Sequence, residues 1–129
     1  MPAVYIAHYG HPLLKGAKHW AILVSSGPKD FIAYQITGST HTYEVKPPEE
    51  SRPETSNTYM GMVEVGRIEE NQRQAFERIA LANPVTRGSV SWNCQNWVIE
   101  VLSAAKAAGL GIAAYSLQEL QGRLAEATK

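Results

Sequence analysis

The chain has 129 residues, about the size of one folding unit and too few for two. Its twelve basic and twelve acidic residues cancel, with no long run of either sign; this argues against nucleic acid or an anionic membrane as an electrostatic partner and suits a small neutral molecule better. One cysteine, Cys94, excludes an intramolecular disulfide and a cysteine-rich metal site, and no stretch approaches the roughly 18 apolar residues of a membrane span.

The single cysteine agrees with a reducing compartment, and the first residues, Met1-Pro2-Ala3-Val4-Tyr5, lack a basic segment followed by an apolar run. A soluble, unprocessed cytoplasmic protein is expected. Residues 3–8, Ala-Val-Tyr-Ile-Ala-His, read as a strand stopped by Gly10 and Pro12. His8 and His11 have a spacing that binds metal on a helix, but Gly10 and Pro12 oppose a helix and further ligands are few. A loop or pocket-lining role is favoured, and neither a metal nor a cofactor is expected.

Residues 15–18 lead into His19-Trp20-Ala21-Ile22-Leu23-Val24-Ser25, an apolar strand closed by the turn at residues 26–30. Residues 31–36 return antiparallel, with Phe31, Ala33 and Gln35 on one face and Ile32, Tyr34 and Ile36 on the other. After a turn at residues 37–40, a third strand is expected over residues 41–45. Residues 46–56 hold three prolines and three glutamates, so an exposed loop, a candidate lid, is expected. Residues 57–68 resume strand alternation, Tyr59, Gly61, Val63 and Val65 against Met60, Met62 and Glu64, with the methionines as filler.

Residues 69–82 switch to helical period, with Ile68, Gln72, Ala75, Phe76, Ile79 and Ala82 on one stripe, and Asn83-Pro84 ends the helix. Residues 85–90 connect to a second helix that starts near Cys94 and stops at Gly109 and Gly111. Ser116-Leu117-Gln118-Glu119 is a capping box for a third helix with Leu117, Leu120 and Leu124 on one face. The expected fold is α+β in one domain spanning 1–129, an antiparallel sheet of about five strands on about three helices.

Chemistry concentrates in Ser91-Trp92-Asn93-Cys94-Gln95-Asn96-Trp97-Val98. Small and apolar residues continue at helical spacing through Trp97, Val98, Val101, Leu102 and Ala105, which puts Cys94 in the first turn on the inward face. Unpaired backbone N–H groups and the helix dipole favour a thiolate there, lower its pKa toward neutrality, and are able to hold an oxyanion. Without a base nearby, a buried cysteine is better read as a small hydrophobe. Of the four histidines, His19 is the candidate base, because it opens a central strand whose start can meet a helix start across the sheet.

Lys18-His19-Trp20-Ala21-Ile22, a hairpin, and later Asn93-Cys94-Gln95-Asn96-Trp97-Val98 resemble the circularly permuted papain-like thiol enzymes of the NlpC-type superfamily. Their best-known members are lecithin:retinol acyltransferase and its small phospholipase and acyltransferase relatives. The resemblance runs over residues 15–102 as an order of elements and rests on about ten motif residues. It implies a papain-like permuted core, Cys94 as nucleophile, His19 as base, and a thioester intermediate resolved by water or an acceptor. In that family the strand after the histidine strand supplies a second histidine that orients the base, and Phe31-Ile32-Ala33-Tyr34-Gln35 has none. Gln35 is the first choice of orienter, since an amide oxygen accepts an imidazole N–H; Tyr34 and His41 follow. The family's membrane-anchoring tail is also missing, which argues against a phospholipid substrate.

Trp92, Tyr34 and Trp20 are the candidate substrate-binding side chains, Trp97 a core residue, and Asn93 a helix cap or oxyanion donor. Arg73 and Arg87 are candidate carboxylate binders or simply solvated. The leading expectation is a hydrolase or acyltransferase acting on a small ester, thioester or amide. The alternatives are a non-catalytic binding module on the same scaffold and a cysteine peptidase or isopeptidase. Oligomeric state is left open.

Overall fold

A computed structural model describes residues 2–10, 19–38 and 40–127. The expectations for His11, for residues 15–18 and for Ser39 lie outside them. The strands are β1 (Ala3–Tyr9), β2 (His19–Ser25), β3 (Phe31–Tyr34), β4 (Ile36–Thr37), β5 (Glu44–Val45), β6 (Glu49–Ser51) and β7 (Tyr59–Arg67); the helices are α1 (Arg73–Ala82), α2 (Cys94–Ala107) and α3 (Leu117–Ala127). The fold is α+β: five antiparallel strands in the order β6-β3-β2-β1-β7, a small β4-β5 ribbon, and three α-helices among the described residues.

Strand alternation divides the sheet into two unlike faces. Val4 and Ile6 of β1, Trp20, Ile22 and Val24 of β2 and Tyr34 of β3 join Phe76 and Ala80 of α1, Trp97, Val98, Val101 and Leu102 of α2 and Leu120 and Leu124 of α3 in the main core. On the opposite face, Ala7, Ala21, Leu23 and Ala33 are buried beneath Tyr5, Tyr9, Phe31, Tyr59 and Met62. Small residues at the centre let the flanking rings lie over them; Tyr5 and Phe31 meet edge to face with centroids 5.7 Å apart. Among the described residues, no helix is long and apolar enough to cross a membrane.

α2 forms where expected. Asn93 caps it, accepting from Gln95 N–H at 2.9 Å, while Asn96 Oδ1 accepts from Asn93 N–H at 3.0 Å. Gly109 stops it at φ +85°, a conformation that costs glycine little. The Ser116 box is present as well, with Ser116 Oγ accepting from Glu119 N–H and Glu119 Oε1 from Ser116 N–H, each at 3.1 Å.

Four local expectations are corrected. Residues 46–56 are not purely loop: they hold β6, which pairs with β3 at the sheet edge, and a short 3₁₀ turn, Pro53–Thr55. An edge strand needs hydrogen bonds on one side only, so it tolerates charges and prolines that an interior strand does not. The strand expected over residues 41–45 shrinks to β5, because the chain reverses at Gly38, whose φ of +102° and closeness to the Thr42 backbone leave no room for a side chain. β7 breaks strict alternation through register shifts opposite Val4/Tyr5 and His8/Tyr9, so Val63 and Val65 turn to the main core while Tyr59 joins Met62 on the other face. α1 starts at Arg73 after a 3₁₀ turn, Glu70–Gln72, and its buried positions are Phe76 and Ala80, with Ala82 exposed.

Candidate functional site

A cavity of about 520 Å³ opens at the end of β2, lined by His19, Gln35, Lys46, Trp92, Asn93 and Cys94 among others. Three stretches build it. β2 contributes its first residue, His19. The segment that leaves β3 contributes Gln35, then β4 and the turn to Tyr43, and is held by the Lys46 N–H donating to the Gln35 carbonyl at 3.0 Å. The approach to α2 contributes Val90 and Trp92; it is tied to that turn by Gly88 N–H on the Thr40 carbonyl at 2.8 Å and Arg87 Nε on the Tyr43 carbonyl at 3.0 Å.

His19 and Gln35 meet directly, with His19 Nε2 2.5 Å from Gln35 Oε1. Strand parity explains the meeting, since His19 shares the face of Ala21 and Leu23 and Gln35 the face of Phe31 and Ala33. Gln35 Nε2 donates to Glu49 Oε1 at 2.7 Å, and Lys46 Nζ donates to the same oxygen at 2.9 Å. The Lys46 hydrogen bond holds the Glu49 carboxyl below the usual carboxylate range. Tyr9, opposite His19 across the β1–β2 register, sets its ring beside the imidazole with centroids 6.1 Å apart.

Cys94 is half-buried at the start of α2. Burial pushes its thiol pKa up, against the backbone N–H groups of Trp20, Cys94 and Gln95, which pull it down. Burial wins, which reverses the expectation that the helix start alone would bring the thiol toward neutrality. The Trp20 amide, one residue beyond His19, nonetheless puts the sulfur against the start of β2. The Tyr43 phenol is pushed up by its own burial and then by the nearby Cys94, so the two groups are close neighbours in the cavity wall.

The tryptophans separate. Trp92 lines the cavity, with its indole N–H on Glu100 Oε2 at 2.7 Å and its ring edge to face with Tyr43 at 5.5 Å. Trp97 is wholly in the core, as expected. Asn93 lines the cavity and uses its side-chain oxygen as the α2 cap.

Trp20 and Tyr34 are corrected as substrate-binding residues. Both point to the helix side of the sheet, because each sits one residue from a cavity residue in a strand of period two. Trp20 is 1% exposed and reaches the site only through its backbone. Tyr34 packs edge to face on Phe76 and donates to Glu77 Oε1 at 3.1 Å, which also removes it as an orienter of His19. His41 is exposed in the turn before β5, outside the cavity lining. Arg87 is spent on the Tyr43 carbonyl, and Arg73 on Glu70 and the Ser25 carbonyl.

Tyr34→Phe should therefore cost roughly 1 kcal/mol of stability by denaturant titration and leave Cys94 alkylation unchanged. Burial, followed by the Glu77 charge, raises the Tyr34 pKa well above its ordinary value. The stabilisation from the neutral phenol is complete below about pH 10, the ordinary tyrosine value, and is lost as pH rises through the higher folded value. The Tyr34→Phe variant should show less of that alkaline loss.

Sequence reasoning missed Glu49, Lys46, Tyr9 and Tyr43. Only Tyr9 carried a usable signal, as the last residue of the strand that pairs with β2. Among the described residues, no group of three or more His, Cys, Asp or Glu is arranged to hold a metal ion. His8 is buried on the helix side of β1, opposite Trp20.

Residues 4–110 match the DUF6540 family, a family of unknown function, and the chain belongs to that family. Searches of curated proteins and of solved structures found no match.

Proposed function

We propose that this protein is a thiol hydrolase or acyltransferase acting on a small ester, thioester or amide, with Cys94 as nucleophile, His19 as base and Gln35 as its orienter. The observation that carries the reading is the His19 Nε2 to Gln35 Oε1 hydrogen bond of 2.5 Å inside a cavity that Cys94 also lines. With Nε2 committed to the amide oxygen, Nδ1 is the ring atom left to take the thiol proton. The order of a histidine strand, an orienting strand and a cysteine helix supports a likeness to the lecithin:retinol acyltransferase-like, circularly permuted papain-like enzymes, with an amide in place of their second histidine.

In the proposed reaction His19 Nδ1 takes the Sγ proton as sulfur bonds to the acyl carbon. The tetrahedral intermediate then collapses to a thioester, and the leaving group departs with the proton from the imidazolium. Water, or an acceptor hydroxyl or amine, gives its proton to Nδ1 and attacks the thioester; the acyl–sulfur bond breaks and the thiol is restored. The N–H of Cys94 at the helix start is suited to the developing oxyanion. One observation favours a second reading, a binding module without turnover: burial raises the thiol pKa.

Incubation with an activated acyl ester such as p-nitrophenyl acetate separates the two readings. The enzyme reading expects one acyl adduct by intact mass, mapped to Cys94, absent in Cys94→Ala, and decaying as free acid is released. Wild-type protein that takes up no acyl group would leave the binding module standing.

A further inference from the structure

The Gln35 amide has two chemically different ends, and only one of them can support His19 as a base. Its direction is set outside the cavity, on β6. A lysine ammonium donates and never accepts, so Glu49 Oε1, 2.9 Å from Lys46 Nζ, is the acceptor of that bond. An ionised carboxylate accepts only, so the Gln35 atom 2.7 Å from the same oxygen is the amide nitrogen. The other end of the amide is then the carbonyl oxygen, which also only accepts, and at 2.5 Å from His19 Nε2 it requires a proton there. The remaining lone pair of the neutral ring lies on Nδ1. Donation thus runs from His19 to Gln35 to Glu49, and Lys46 donates to the same Glu49 oxygen from the other side.

We infer that Glu49, held by Lys46 on the edge of the sheet, is a positioning residue that fixes the direction of the Gln35 amide and through it the ring tautomer of His19. This rests on the proposed thiol chemistry. The register makes the relay possible: Glu49 pairs with Ala33, on the face that carries Gln35 and His19, so the three side chains cross adjacent strands on one side of the sheet. Glu49 does not line the cavity, so its effect on reactivity has to pass through Gln35.

The test uses Glu49→Lys and Glu49→Gln in the full chain, with two readouts: the rate of Cys94 alkylation by iodoacetamide near neutral pH, and the His19 ring tautomer by ¹⁵N NMR, assigned by difference from His19→Ala. A lysine at position 49 offers donors to Gln35 and turns its oxygen outward, so the amide NH₂ faces His19 and demands a lone pair on Nε2. The expected result is a shift of His19 toward the Nδ1–H form and a loss of about 10- to 100-fold in alkylation rate, less than the ~10⁴ that a wrong tautomer costs when the orienter itself is changed in a serine protease. Glu49→Gln keeps an oxygen acceptor for Gln35 and should retain the wild-type tautomer and most of the rate. An unchanged tautomer in Glu49→Lys overturns the inference. Equal alkylation rates in wild type and His19→Ala would sink the thiol reading instead, while the tautomer measurement still decides the role of Glu49.

Discussion

Replacing His19 with alanine is expected to slow alkylation of Cys94 by iodoacetamide near neutral pH by about 10²- to 10⁴-fold, the usual contribution of a positioned base. The reason lies in the balance at the sulfur. Three backbone N–H groups favour the thiolate, yet burial outweighs them and keeps the thiol protonated through the neutral range. Without His19, reactivity should appear only as pH rises through the raised folded-state value, giving a steep alkaline limb and no neutral plateau. The same upward shift stabilises the fold below the ordinary thiol pKa of about 8.5, and that contribution is lost as pH climbs past the folded value. Superimposable pH–rate curves for wild type and His19→Ala, followed by intact mass, would falsify His19 as the base.

Trp97→Ala should remove about 3–5 kcal/mol of folding stability. The side chain is fully buried in the main core, and its indole N–H donates to the Asn83 carbonyl at 3.2 Å, just beyond the end of α1. Truncation leaves a cavity beneath α2 and an unpaired carbonyl where the two helices meet. Against a typical total of roughly 5–15 kcal/mol, this is a large fraction, so the urea midpoint should fall sharply. A change under about 1 kcal/mol would mean that α2 is held to the sheet by something other than this residue.

Much of the scaffold could be read from residue spacing, because the relevant signals are local. β2 begins at His19, α2 begins at Cys94 and ends before Gly109, and α3 follows the Ser116 box, each where caps, glycines and periodicity indicate. Alternation in residues 31–36 already put Gln35 and Tyr34 on opposite faces. That parity puts Tyr34 and Trp20 on the helix side, and Tyr34's packing on Phe76 and bond to Glu77, which spacing does not show, keep it out of the cavity. β6 was hidden because prolines and glutamates describe an exposed edge as well as they describe a loop. The β7 register shifts leave no mark in composition. The direction of the Cys94 pKa shift is not legible in residue order, because helix-start amides are visible there whereas desolvation depends on what the rest of the chain packs around the sulfur.

The cavity walls also say something about how this protein comes into being. His19 and Cys94 are 94 − 19 = 75 positions apart. β1, beside β2, completes its hydrogen bonding only when β7 closes on its other edge. Such distant pairings incur loop-closure entropy before any contact compensates it, which favours slow, all-or-none assembly over stepwise growth from one end. Until residues 19, 35 and 94 are gathered, the nascent chain carries an ordinary thiol, so no fragment ending before α2 holds the cavity. Cys94 labelling kinetics would therefore report when the chain as a whole assembles, with no introduced reporter residue.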